Sequence, residues 1–389
     1  MSPRNLALIL GALVAFTPLA VDMYLASLPT LAAQFAASQG AAQLTLAAYF
    51  VGLAIGQFFF GPIVDRFGRR PPLFVGAAVY VVASLGCAFA PSMDALIALR
   101  FVQALGGCVT LVVSRAVVRD LFQPRDAARV LSMLMLVMGV APILAPSLGG
   151  YLLVWFGWPA IFLVLAGYGT VILAIATRAL PETRPPVVVP LSVASALRSY
   201  AVVLADRRFL GFTLSSSLPF AGMFAYVAGS PFVFIEIYRI PAESYGLLFG
   251  SNAIGFIAAT QANRWLLARA QPPRILALGG LFVALAGLVH LAVVATGAGG
   301  LAGLVASLFF CLAPLGIVLP NAAASAMAGH GERAGTASAM MGILQFAAGG
   351  IAASTVGALH DGTALPMAVV ISVCALAGWL ARRLLIGRA

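Results

Sequence analysis

Long apolar runs recur along this chain, separated by short polar stretches. Each run is long enough to cross a bilayer as a helix, which takes about 20 apolar residues. Twelve spans can be placed, near 6–28, 43–64, 72–90, 94–118, 129–154, 158–179, 209–236, 244–268, 274–296, 299–326, 335–359 and 364–386. The longest polar interruption runs from Pro181 to Arg208 and holds Pro181, Pro185, Pro186 and Pro190, then Arg198 and Asp206. It splits the spans into two sets of six. The pattern predicts an all-α integral membrane protein: an N-terminal six-helix bundle over 1–180, a cytoplasmic linker over 181–208 and a C-terminal six-helix bundle over 209–389. Arg4 ahead of the first run imitates a signal peptide. The run is longer than a signal core, and the repeat described below needs it in place, so it reads as a span.

Composition excludes a water-soluble globule. Hydrophobic residues make up 62% of the chain and charged residues 8%, against about 25% charged in a typical soluble domain. The net charge is +11 and every basic residue is arginine. A basic balance can mean nucleic acid, but these arginines sit in short loops between apolar runs. They gather on one side: Arg4, Arg66–Arg70, Arg115–Arg129, Arg178–Arg208, Arg264–Arg274, Arg333 and Arg382–Arg388; only Arg100 and Arg239 fall elsewhere. By the positive-inside rule that side, with both termini, is cytoplasmic. Cys87, Cys108, Cys311 and Cys374 lie inside apolar runs and read as small packing residues, with no disulfide framework or metal-ligand spacing.

The two halves repeat. Tyr24-Leu25-Ala26-Ser27-Leu28-Pro29 in the first span matches Tyr226-Val227-Ala228-Gly229-Ser230-Pro231 in the seventh. Asp65-Arg66 after the second span matches Asn263-Arg264 after the eighth, and Pro71-Pro72 is answered by Pro272-Pro273. Two matches at offsets near half the chain point to duplication, hence two bundles related by a pseudo-twofold axis. Duplicated bundles that rock about a central site are a recurring transporter design.

The rare charges inside spans carry the chemistry. Asp22 is a lone carboxylate in the first apolar run, and such a group at membrane depth points to a proton, an ion or a substrate. It lies seven residues before Pro29, about 10 Å from that end of the span. Arg100 lies six residues after Asp94, about 9 Å in from the same side. Both side chains can therefore face one cavity at similar height, with Gln103 one turn beyond Arg100. The competing roles are a fixed ion pair or charges that snorkel to the membrane edge. Glu236 beside Arg239 reads as a surface ion pair, His290 as a hydrogen-bonded packing residue, and Arg115 as part of a cytoplasmic cluster with Arg119 and Asp120. Tyr24, Tyr49, Phe224 and Tyr226 are candidates to line an apolar cavity.

Two glycine-rich strings complete the picture. Gly61-Pro62-Ile63-Val64-Asp65-Arg66-Phe67-Gly68-Arg69-Arg70 forms the tight turn between the second and third spans. There Gly61 would let a neighbouring helix approach, and Gly68 suits a turn with positive φ. Asp65 would be drawn to a helix N-terminus of the other half, near Gly335-Thr336 at the start of span 11. In span 5, Pro142 and Pro146 each remove a helical donor. Gly139, Gly149 and Gly150 permit close approach to another helix, expected from the second half.

The first of these strings resembles the signature loop of the major facilitator superfamily, and the resemblance covers the whole chain. Arg100-Phe101-Val102-Gln103-Ala104-Leu105-Gly106-Gly107 is similar to its fourth-helix motif, whose arginine is linked to proton transfer. Gly139-Val140-Ala141-Pro142, continuing to Pro146-Ser147-Leu148-Gly149-Gly150, is similar to the antiporter motif, which is characteristic of exporters. Asp22-Met23-Tyr24-Leu25, ending at Pro29, resembles the first-helix motif of twelve-span drug:proton antiporters. Ser230-Pro231-Phe232-Val233-Phe234 and Arg119-Asp120-Leu121-Phe122 resemble the Bcr/CflA drug-resistance branch. The second-half loop departs from the pattern, with Asn263 in place of the acid and Leu266 in place of the turn glycine.

The resemblance implies a monomeric, proton-coupled exporter of small amphipathic drugs or metabolites in a bacterial inner membrane. Asp22 and Arg100 would couple protons, and Gly61, Asp65, Arg66, Gly68, Arg69, Arg70 and Asp120 would form a cytoplasmic gate. Protons are the only coupling agent implied, with no metal, other cofactor or nucleic-acid partner. A chain without lysine cannot hold the phosphate-binding loop of an ATP-driven pump. Two alternatives stand: an uptake symporter for a small polar solute, which calls for more polar groups at cavity depth, and a membrane enzyme or receptor. Against an enzyme, His290, His330 and His360 lie at different levels rather than converging.

Overall fold

The computed structural model describes the backbone of residues 3–122, 124–183, 193–330 and 334–387. Among these residues every regular element is helical. In chain order they are α1 (Pro3–Asp22), a 3-10 turn (Leu25–Ser27), α2 (Leu28–Gln34), α3 (Gln39–Phe67), α4 (Arg70–Ala88), α5 (Met93–Leu121), α6 (Pro124–Phe156) and α7 (Pro159–Ala179). There follow α8 (Val193–Ala205), α9 (Arg207–Pro231), a π-helical segment (Phe232–Ile237), α10 (Ala242–Leu267), α11 (Pro272–Thr296), α12 (Gly300–Leu312), α13 (Leu315–Met327), α14 (Ala334–Ala358) and α15 (Leu365–Ile386).

Local sequence explains the starts. Ser38 Oγ accepts from Ala41 N at 3.1 Å and Ser92 Oγ from Ala95 N at 3.2 Å, capping α3 and α5. Asp206 caps α9 through Arg208 N at 2.8 Å. Proline pairs open α4 and α11, where a missing N–H costs nothing.

Eleven helical stretches are long and apolar enough to cross a membrane. The twelfth member of the architecture is α10, whose Asn252, Gln261, Asn263 and Arg264 make it more polar than the rest. Three expected spans are not simple helices. The first breaks after Asp22 and resumes through the 3-10 turn and α2; the seventh ends in the π segment; the tenth is divided into α12 and α13 around Ala313-Pro314. The fifth runs unbroken through Pro142 and Pro146. The stretch between the two sets of six contains α8, which the sequence pattern does not signal. Tyr200 of α8 packs with Val203, Phe209, Met340 and Met341, and with Phe58 from the first half.

Two seams join the halves. Along one, α3 meets α14: a Cβ on Gly40 would lie 2.8 Å from the Gly357 carbonyl oxygen, and one on Gly342 would lie 2.1 Å from Gln57 Oε1. Along the other, α6 meets α10: a Cβ on Gly150 would meet the Ala242 oxygen at 2.4 Å, and one on Gly246 would meet Ser147 Oγ at 2.2 Å. Only small residues permit such backbone approach. Toward the arginine-rich face the first seam parts. Nothing lies within 4 Å of a Cβ built on Gly61, Phe59 and Phe67 are exposed, and Arg115 inside α5 is exposed as well. The expected close approach at Gly61 is therefore corrected: about one turn earlier Gln57 meets Gly342 of α14, but no described residue lies against Gly61.

Candidate functional site

Asp22 is the last residue of α1. Its side chain is buried, at 5% exposure, and among the described residues no hydrogen bond or ion pair reaches its carboxyl group. The helix breaks because the next backbone segment lies against α6. A Cβ on Gly149 would sit 1.8 Å from the Met23 carbonyl oxygen. The glycine of span 5 thus makes room for the break that carries Asp22. The groups within electrostatic reach of Asp22 belong to the second half, Tyr226 of α9 and Tyr245 of α10. Tyr226 OH accepts from Asn252 Nδ2 at 3.1 Å, and Tyr245 OH pairs with Ser230 Oγ at 2.9 Å. Asp22 therefore lies where the two bundles meet, at a broken helix, the usual place for a transporter's ion or substrate site.

Arg100 occupies a different compartment. It is fully buried inside the first bundle, with its guanidinium 4.3 Å from the Tyr49 ring centroid, 4.7 Å from Tyr24 and 5.8 Å from Phe162. It donates through Nη1 to Gln103 Oε1, and Gln103 Nε2 donates to Ser84 Oγ at 2.7 Å. Among the described residues Arg100 Nε and Nη2 and Tyr80 OH have no hydrogen-bond partner, and the Tyr49 hydroxyl lies beside that of Thr17. Tyr24 is the link between the compartments. Its ring faces Arg100, its hydroxyl bonds Thr45 Oγ1 at 2.7 Å, and its backbone begins the turn after Asp22. The structure places Asp22 and Arg100 on either side of Tyr24, with no ion pair between them and no shared open face.

The tyrosine pair obeys the internal repeat. Tyr24 is tied to α3 by Thr45, and Tyr226 is tied to α10 by Asn252. Each repeated Tyr locks a broken span to the span that follows it. Phe224 lies two residues earlier on α9, its ring centroid 4.0 Å from that of Phe50, 4.8 Å from that of Phe220, which meets it edge-on, and 5.9 Å from that of Phe346. It closes the α3–α14 seam from inside, with Gly349 beneath its ring. All five expected cavity residues (Tyr24, Tyr49, Gln103, Phe224 and Tyr226) are buried. The more accessible aromatic surface here is Phe220 and Phe346, which sequence reasoning did not single out.

At the arginine-rich face the loop before α4 is knotted to α5 and to the end of α7. Gly68 has φ +90°, which accounts for glycine there. Arg69 is buried; it forms a two-pronged pair with Asp120 at 2.8 and 3.3 Å and donates to the Val64 carbonyl at 2.9 Å. Asp65, half exposed, pairs with Arg69 at 3.3 Å. This partner lies in its own loop. Arg70 Nη2 donates to the Thr177 carbonyl at 2.7 Å, and Arg66 is exposed over Phe67. Glu182 was not anticipated. Its carboxylate accepts from Arg69 N at 2.8 Å and Arg70 N at 3.1 Å, capping α4, while Thr183 Oγ1 donates to Asp120 at 2.9 Å. The carboxylate of Asp120 is thus engaged by Arg69; the side chain of Arg119 lies outside the described residues.

The remaining expectations divide. Gly139 packs against Ile257 of α10, and Gly150 against Ala242 and Glu243. Both are second-half contacts, whereas Gly149 receives the first-half Met23. His290 is buried with Nδ1 2.8 Å from Ser307 Oγ, a packing histidine with one bond. Glu236 does not pair with Arg239. It accepts from Gln39 Nε2 across the seam between the halves, because the π segment turns it toward α3. Among the described residues no cluster of His, Cys, Asp and Glu could hold a metal ion.

A Bacillus subtilis protein named uncharacterized MFS-type transporter YdgK is 36% identical over 97% of this chain and 94% of its own length. The bicyclomycin resistance protein homolog of Haemophilus influenzae is 32% identical over 98% of this chain and 96% of its own. Multidrug resistance protein MdtL of Escherichia coli is 30% identical over 86% and 83%. Among solved structures, a bacterial homolog of the human lysosomal transporter Spinster superposes with TM-score 0.76 at 14% identity, covering 99% of this chain and 98% of that one. A D-xylose–proton symporter gives TM-score 0.73 at 15% identity and 96% coverage of both chains. The sequence profile of the Major Facilitator Superfamily matches residues 10–353. This chain is a member of the Major Facilitator Superfamily, a multi-pass membrane transporter of twelve helices in two six-helix bundles.

Proposed function

We propose that this protein exports small amphipathic molecules, including drugs, in exchange for protons. It would do so as a monomer in a bacterial inner membrane, with both termini and the linker over 181–208 on the cytoplasmic side. The observation that carries the reading is Asp22: one buried carboxyl group, with no hydrogen bond or ion pair among the described residues, at a helix break between the bundles. A carboxylate buried without a partner is costly, and a bound proton removes that charge. Protonation from outside and substrate loading from inside would then alternate as the bundles rock about the α3–α14 and α6–α10 seams. The relatives named for bicyclomycin and multidrug resistance support export.

Arg100 acts at one remove. Its charge is fixed behind Tyr24, so a change at Tyr24 that accompanies proton loading would alter the field at Asp22 without contact. On the cytoplasmic side, the Arg69–Asp120–Glu182 knot would hold the first bundle rigid, while space remains beside Gly61 in the state seen here. Bundle closure would bring α14 onto that loop.

Uptake of a sugar-like solute, as named for the xylose symporter, is disfavoured by the phenylalanine-rich interior around Phe220, Phe224 and Phe346. The test is drug accumulation in inside-out membrane vesicles energised by a proton gradient, with a panel of amphipathic antibiotics that includes bicyclomycin. Export predicts accumulation that collapses with the gradient and with Asp22→Asn. Gradient-driven loss of solute from the same vesicles would establish uptake instead.

A further inference from the structure

A cavity of about 490 Å³, not lined by Asp22, lies at the face opposite the arginine-rich loops. Both bundles line it: Gln39 and Gln43 of α3 from the first half, and Phe232, Glu236, Arg239 and His360 from the second. Its size is within the range of small-molecule sites, roughly 300–1,000 Å³.

Its chemistry is unbalanced in one direction. Glu236 Oε2 accepts from Gln39 Nε2, and its other carboxylate oxygen accepts no hydrogen bond among the described residues. Gln39 Oε1 is buried without a partner, and so is Gln43 Oε1, on a side chain only 1% exposed. Gln39 and Gln43 are four residues apart on α3 and share a face. Buried acceptors left unmatched cost free energy that a donor recovers. Two buried oxygens thus lack donors beside one cavity, and a third, on the charged and partly buried Glu236, accepts no hydrogen bond among the described residues. Arg239 borders it but is exposed and makes no ion pair with Glu236, so it does not supply them. The rings of Phe232 and His360, with centroids 6.5 Å apart, provide an aromatic wall.

We propose that this cavity binds a primary organic ammonium ion, its three N–H donors going to Glu236, Gln39 and Gln43 and its alkyl part to Phe232. Bound there, the ion bridges α3 to the π segment after α9 and ties the bundles together on the side already closed. The site goes beyond the export reading and does not depend on it.

The test uses purified full-length protein in detergent and follows thermal unfolding with a thiol-reactive dye, for which Cys87, Cys108 and Cys311 are buried reporters. The probes are n-butylammonium and n-butyltrimethylammonium chloride at equal concentration. They share charge and chain, but only the first has N–H donors. The expected result is a saturable rise in midpoint with butylammonium alone, its half-saturation concentration increased at least tenfold in Glu236→Gln and in Gln43→Met. Equal shifts with the two ions would overturn the proposal, as would unchanged half-saturation in Glu236→Gln. If that variant does not fold, unchanged half-saturation in Gln43→Met is decisive by itself. Because the readout is binding, failure here would leave proton-coupled export untouched.

Discussion

Replacing Gly149 by alanine tests how the span-5 glycines and the Asp22 break depend on each other. The added Cβ would lie 1.8 Å from the Met23 carbonyl oxygen, 2.6 Å from its carbon and 2.9 Å from the Met23 Cα. All three are backbone atoms, so no side chain can swing away. Ordinary contact begins near 3.4 Å, and α6 must part from the broken segment by the difference, about 1.6 Å. Overpacking of this kind costs about 1–3 kcal/mol. Gly250 of α10, on the α6–α10 seam, is the internal control: its Cβ would meet Ile143 at 3.5–3.6 Å, an ordinary contact. Both substitutions gain the same helix propensity, about 1 kcal/mol for alanine over glycine, which cancels in the comparison. Gly149→Ala should therefore be less stable than Gly250→Ala by about 1–3 kcal/mol. It should also lose most proton-coupled transport, since the displaced residue adjoins Asp22. Thermal unfolding in detergent and proton flux in liposomes measure the two effects. If Gly149→Ala matches Gly250→Ala in both, the glycine does not support the break and the reasoning fails.

Three further outcomes follow from the same geometry. Arg100→Lys should fold yet transport at least tenfold more slowly, because an ammonium cannot face Tyr24 and Tyr49 while donating in the guanidinium's fixed fork to Gln103; near-native flux would remove Arg100 from coupling. Glu182→Ala should lower stability by about 0.5–2 kcal/mol, the worth of a helix cap, since Arg69 N and Arg70 N lose their acceptors; an unchanged unfolding midpoint would contradict it. Gly68→Ala should cost about 1–2 kcal/mol for an L-residue at positive φ, and more because its Cβ would press on the Glu182 carboxylate at 2.8 Å; thermal unfolding checks this too.

How far the chain could be read in advance varied with the range of the interaction. Spans, the two sets of six and the turn glycine Gly68 are local properties: apolar length and backbone conformation follow from neighbouring residues. The breaks in spans 1, 7 and 10 were not legible, because tertiary packing produces them. Nothing near Asp22 forces the helix to stop, and the cause is Gly149, far along the chain and on another helix. Glu182 was missed for a similar reason: a carboxylate after a proline reads as linker until the fold sets it over Arg69 and Arg70. Depth arithmetic set Asp22 and Arg100 at one height, but height says nothing of azimuth. Tyr24 and Phe162 stand where a shared cavity was expected. Asp120 likewise has three arginines within five residues in sequence, Arg115, Arg119 and Arg125, and the fold pairs it with Arg69, far away along the chain.

The most direct test of the central claim is drug-dependent proton movement in liposomes containing the purified protein, wild type against Asp22→Asn, under an imposed pH gradient with a fluorescent pH readout. The account predicts that amphipathic antibiotics drive proton flux opposite to their own movement in the wild type and none in the variant. Equal drug-dependent flux in Asp22→Asn would contradict the assignment of the coupling carboxyl group. Protons moving in the same direction as a sugar or amino acid, with the antibiotics silent, would contradict export itself.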